Sequence, residues 1–70
     1  MYIKTGRKKK FTCEWTVNRG KTNTFKATNI AHAKRDILDA AKKNSHSGDV
    51  VIMKILDENG NNCYFRVLER

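Results

Sequence analysis

From Phe11 to Val17 the chain alternates. Phe11, Cys13, Trp15 and Val17 fall on one face, and Thr12, Glu14 and Thr16 on the other. A period of two is the signature of a half-buried β-strand. Asn18-Arg19-Gly20-Lys21 supplies turn chemistry, and Thr22 to Thr28 returns as a second strand with Phe25 and Ala27 toward the core. The first two elements therefore form a β-hairpin.

The period then changes. Ile30, Ala33, Ile37, Ala40 and Ala41 recur at helical spacing as a narrow apolar stripe with Leu38 at its edge, while His32, Arg35, Asp36, Asp39, Lys42 and Lys43 face away. The helix is expected over residues 29–44, with Thr28 or Asn29 as N-cap and Lys42-Lys43 at the negative end of its dipole. Ser45-His46-Ser47-Gly48 opposes further helix. Val50 to Leu56 is almost wholly apolar, which reads as a strand in the centre of a sheet. Asn59-Gly60 is a hairpin signal, and Asn62 to Leu68 returns with Cys63, Phe65 and Val67 on its apolar face. The expected fold is α+β: a four-stranded antiparallel sheet in the order ββαββ, with one helix packed on one face. Residues 1–70 form a single small domain in which residues 1–10 are a basic arm or the start of a strand, and Met1-Tyr2-Ile3 extends the first strand or adds a short one.

Charge changes this picture more than composition does. Fifteen Lys and Arg against seven Asp and Glu give a formal net charge of +8. Eight of the cations precede Ala27, opposed there by Glu14 alone, whereas residues 27–70 carry seven cations and six acids. A solubilising charge has no reason to gather in one segment. The asymmetry points to a polyanionic partner, with Arg7, Lys8, Lys9 and Lys10 as its densest part and Arg19, Lys21 and Lys26 completing a stripe along the hairpin. Met1 to Lys10 has positive charge with no apolar stretch behind it, unlike a secretory signal, and no run approaches the roughly 20 apolar residues of a membrane span. A cytoplasmic chain with reduced cysteines is expected.

Catalytic and metal chemistry find little support. Cys13 and Cys63 lack ligand-like spacing to His32 and His46, so both cysteines read as small buried hydrophobes and both histidines as exposed. Asp36 and Asp39 read as partners in helical ion pairs. Gly6, Gly20, Gly48 and Gly60 are isolated turn residues, not a phosphate loop. No enzyme activity, cofactor, metal or small-molecule substrate is expected. Trp15 and Phe65 belong in the core. Tyr2 and Tyr64 are the better candidates for stacking on bases, Tyr64 beside Arg66.

Phe25-Lys26-Ala27-Thr28-Asn29-Ile30-Ala31-His32-Ala33-Lys34-Arg35, then Gly48-Asp49-Val50-Val51, then Glu58-Asn59-Gly60, resembles a layout found in small phage and prophage proteins, among them some type I anti-CRISPR inhibitors. The resemblance covers residues 22–67. It implies a phage or mobile-element origin in a bacterial host, and a partner such as an RNA-guided DNA surveillance complex blocked where target DNA lies. It adds Lys34 and Arg35 as contact residues. A basic sheet followed by a helix is also similar to the arm-site DNA-binding domains of phage-type integrases. That alternative implies a DNA-binding regulator or excisionase-like factor.

Overall fold

A computed structural model describes residues 9–70; Arg7, Lys8 and the segment around Tyr2 lie outside the described residues. The elements are β1 (Phe11–Val17), β2 (Thr22–Ala27), α1 (Ile30–Lys43), β3 (Val50–Leu56) and β4 (Asn62–Glu69). The four strands form one antiparallel sheet in the order β2-β1-β3-β4. The expected ββαββ architecture is therefore the observed one. β3 is central, as its apolar run predicts, and β1 is the other interior strand. No helix among the described residues is long and apolar enough to cross a membrane.

The helix starts where Asn29, in extended backbone, accepts the His32 N–H on its side-chain oxygen at 2.8 Å. Its end is tied down by side chains. The Asn44 amide donates to the Ala40 carbonyl at 2.8 Å, the Ser45 hydroxyl to that of Ala41 at 2.6 Å, and the Arg70 guanidinium to that of Lys42 at 3.1 Å. The Ala40 carbonyl also accepts the Asn44 N–H at 3.1 Å, while Ser45 and Arg70 satisfy carbonyls that the helix leaves free, and Arg70 adds positive charge at the negative end of the dipole. Ala33, Ile37 and Ala41 are buried against Cys13, Ala27, Val51, Met53 and Ile55. The helix packs mainly on β1 and β3, and less on β2.

The two hairpins use different turns. Asn18 and Arg19 both have positive φ, 51° and 59°, the type I′ geometry that suits the twist of a tight hairpin. The Asn18 side chain then ties this turn to β3, donating to Asp49 and accepting the Val50 N–H, each at 2.9 Å. The β3–β4 connection has a left-handed residue only at Gly60, φ 85°. The Gly60 N–H bonds the Asp57 carbonyl at 3.0 Å, so Asn59-Gly60 closes a type I turn ending in a glycine, not a type I′ turn.

β4 corrects the expected faces. Leu56 pairs with Asn62, but Ile55 pairs with Tyr64, so Cys63 is an extra residue at a bulge. Had the register set at Leu56 continued, Cys63, Phe65 and Val67 would oppose the core positions Ile55, Met53 and Val51. The bulge moves every later side chain to the other face. Tyr64 and Leu68 pack against the core, while Cys63, Phe65 and Val67 are exposed. Phe65 and Cys63 are therefore not core residues, and Tyr64 is not a free stacking platform. β3 separates β1 from β4, so Cys13 and Cys63 are not on neighbouring strands, and both are free thiols.

Asp49 fastens the β3 entrance. Its carboxylate accepts the His46 N–H and the Asn18 amide, each at 2.9 Å. These bonds hold its pKa below the usual 3.8. A depressed carboxylate contributes stability above its unfolded pKa, and that contribution is lost as the pH falls through the folded value. Asp49→Asn is expected to lower Tm at neutral pH, and the gap to the parent to close below pH 3.8. Thermal melts from neutral to strongly acidic pH check this; a gap that stays constant contradicts it.

Candidate nucleic-acid interface

Lys26 sits directly across from Thr12 in the β1–β2 ladder, and its ammonium donates to the Thr12 hydroxyl at 2.9 Å. The antiparallel return of β2 brings it there, next to Lys9 and Lys10, which lead into β1. These three lysines and Thr12 form one wall of an open hollow at this end of the sheet, and the β3–β4 turn from Leu56 to Gly60 forms the other. Three exposed cations thus meet two acids. One of those, Asp57, is occupied: its carboxylate accepts the N–H groups of Asn59 and Asn61 at 2.9 Å. The chain continues from Lys9 back to Lys8 and Arg7.

Arg19 and Lys21 lie at the opposite end of the hairpin. Seven residues of β1 separate the two groups, about 23 Å at roughly 3.3 Å per residue. Between them the sheet face away from the helix carries Thr12, Thr16, Thr22 and Thr24. Glu14, the one acid among the hairpin strands, is matched by Lys54 at 3.5 Å. The expected stripe is thus two basic ends joined by a neutral, threonine-rich stretch.

Lys34 and Arg35 are not brought to this stripe, because the helix that carries them covers the other face of the sheet. The Lys34 ammonium lies 5.5 Å from the centre of the Tyr64 ring, a cation–π contact that joins the helix to β4. Arg35 contacts Asp36 at 3.4 Å and Lys43 contacts Asp39 at 3.1 Å. The exposed helix face thus carries four cations, Lys34, Arg35, Lys42 and Lys43, of which two are matched by Asp36 and Asp39.

No protein-family model, curated protein or solved structure matches this chain. The site is therefore read from its own side chains. Among the described residues no cluster of three or more His, Cys, Asp and Glu is placed to hold a metal. His32 stands beside its own capping residue, with Nδ1 3.3 Å from the Asn29 amide. The Ser45 hydroxyl is held between the Ala41 carbonyl and Arg70. Burial, with a smaller contribution from Asp36, pushes the Cys13 thiol up to about 11, far from the thiolate form that nucleophilic chemistry needs.

Arg19 occupies a seat that its side chain makes costly. It fills the second central position of a type I′ turn, where glycine is favoured, at φ 59°. A non-glycine residue in this region loses roughly 1 kcal/mol or more. Arg19→Gly is expected to raise stability by about 1 kcal/mol while removing a cation from the hairpin tip. Chemical denaturation measures the gain, and an unchanged or lowered stability contradicts it. Sequence reading identified the turn but not the strain, although Asn-Arg standing where Asn-Gly is usual is a visible signal.

Proposed function

We propose that this chain is a non-enzymatic accessory protein of a phage or mobile element. It binds nucleic acid, or a nucleoprotein, through the basic ends of its β1–β2 hairpin. The observation that carries this reading is the meeting of Lys9, Lys10 and Lys26 on one exposed wall; Arg7 and Lys8 precede Lys9 in the sequence. Three flexible ammonium groups within one wall suit successive phosphates better than a single small anion, and Arg19 and Lys21 extend the reach along the backbone. Phosphate contacts carry little base information, so the binding is largely indifferent to sequence. By the resemblance of residues 22–67, the partner is an RNA-guided surveillance complex whose target-DNA seat is blocked, an anti-CRISPR-like interference with host defence. The regulator reading has less behind it. The helix mixes signs, and the open sheet face presents Ile52, Phe65 and Val67 where base-edge donors would be needed.

The test is fluorescence anisotropy of labelled duplex DNA, single-stranded DNA and RNA across about 50–200 mM salt, where each phosphate contact contributes a slope of roughly 0.9. A steep fall in affinity with salt, similar for unrelated sequences, supports the proposal. Absence of binding at the lowest salt, together with failure to compete with target duplex for a purified type I surveillance complex, overturns it.

A further inference from the structure

The two edges of the sheet differ. On β2 the exposed side chains are Thr22, Thr24 and Lys26, polar groups that discourage further pairing. On β4 they include Phe65, 60% exposed, and Val67, 45% exposed, with no lysine or proline along the strand. The helix packs on β1, β3 and β2, so Tyr64 and Leu68 on its side of β4 are only half-covered. Among the described residues β4 is thus an eight-residue edge strand with apolar groups on both faces. It carries one cation and one anion in a chain of net charge +8, so it is the strand where two copies repel each other least.

We propose that the chain pairs with a second copy of itself along β4, in antiparallel two-fold fashion, to make a continuous eight-stranded sheet. The backbone permits it. The Arg70 N–H donates to the Asp49 carbonyl, and the Asn18 N–H to that of Val50. Ladder alternation then turns the N–H and C=O of Tyr64, Arg66 and Leu68 toward β3, and those of Phe65, Val67 and Glu69 outward. The side chains choose the register. With Phe65 on the two-fold axis, the rings of Phe65 and its symmetry mate meet on the open face. Each Tyr64 then faces Arg66 of the other copy on the helix face, an aromatic–cation pair. A shift that puts Arg66 on the axis sets two guanidinium groups opposite one another. A shift to Val67 sets Phe65 against Glu69. The partner is a second copy, and not an unrelated strand, because this register matches the strand to itself on both faces.

Sedimentation velocity over a concentration series tests the pairing, with a midpoint expected in the roughly micromolar range for a small edge contact. The parent is expected to pass from one copy to two. Phe65→Lys, at an exposed position, is expected to stay single. Ile52→Lys, on the open face but one strand in from the edge, is expected to dimerise like the parent. In a Cys63→Ser background, Phe65→Cys is expected to oxidise to a covalent dimer, since directly opposed hydrogen-bonded residues lie about 5.5 Å apart at Cα, within disulfide reach. Val67→Cys in the same background is expected not to cross-link. A parent that remains single at every concentration overturns the proposal. So does a dimer abolished by Ile52→Lys without cross-linking at position 65, which is the outcome for face-to-face packing.

Discussion

Ile55→Ala is expected to cost about 2–5 kcal/mol, the range for a large aliphatic side chain removed from a packed core. Ile55 has no exposed surface, and neither has Ile37 on the helix above the sheet. Its neighbours leave little room to relax. Cys13 lies directly beside it on β1 and Tyr64 on β4. The helix above presents Ala33 and Ala41, whose short side chains bring its backbone close to the sheet and cannot swing into a void, and between them Ile37, itself fully buried. A domain this size holds roughly 4–10 kcal/mol in total, so the variant is expected to be partly or wholly unfolded at 25 °C. Ile52→Ala is the matched control. Ile52 is on the same strand but on the open face and half-buried, and its truncation is expected to cost about 1 kcal/mol. Denaturant midpoints for the two variants measure the difference. Equal costs contradict the assignment of the core to the helix side.

That contrast also marks what the sequence makes legible. On β1, one face is apolar and the other polar, so strand and orientation follow from the period alone. The helix is legible for the same reason: only its Ile30-to-Ala41 stripe can be buried. β3 is apolar on both faces, and this signals a central strand without saying which face the helix takes. On β4 the alternation misleads, because the bulge at Cys63 leaves no mark in it. A one-residue insertion leaves the hydrophobic pattern untouched and reverses its meaning. Ile52, Phe65 and Val67 consequently form an open-face patch that looks like core in the sequence. Strand order is a second limit. Nothing local says that β3 inserts between β1 and β4, so neither the separation of Cys13 from Cys63 nor the place of β4 at the edge of the described sheet is readable from the chain. The gathering of Lys26 with Lys9 and Lys10 is readable, because a hairpin returns its second strand to the start of its first. The separation of Lys34 and Arg35 from that wall is a matter of layers: one helix on one face cannot share a surface with the opposite face.

Neutralising Lys9, Lys10 and Lys26 together is expected to weaken nucleic-acid binding by roughly two to three orders of magnitude near 0.1 M salt. A contact with a slope of about 0.9 multiplies affinity some eightfold at that salt, and three such contacts compound to about 500-fold. Lys→Gln at each position removes the charge while keeping the polarity and most of the length. All three lysines are exposed, so the fold is expected to stand, with Tm near that of the parent. The loss is expected to be alike for unrelated sequences, and the log–log salt slope to fall by about 2.7. Arg35→Gln with Lys42→Gln removes two cations from the helix on the other layer and is expected to leave the slope nearly unchanged. Anisotropy titrations on the triple variant, the helix variant and the parent decide between the two surfaces. If the triple variant keeps the parent's affinity and slope while the helix variant loses both, phosphate binding belongs to the helix. The wall at the hairpin end would then only keep the chain soluble.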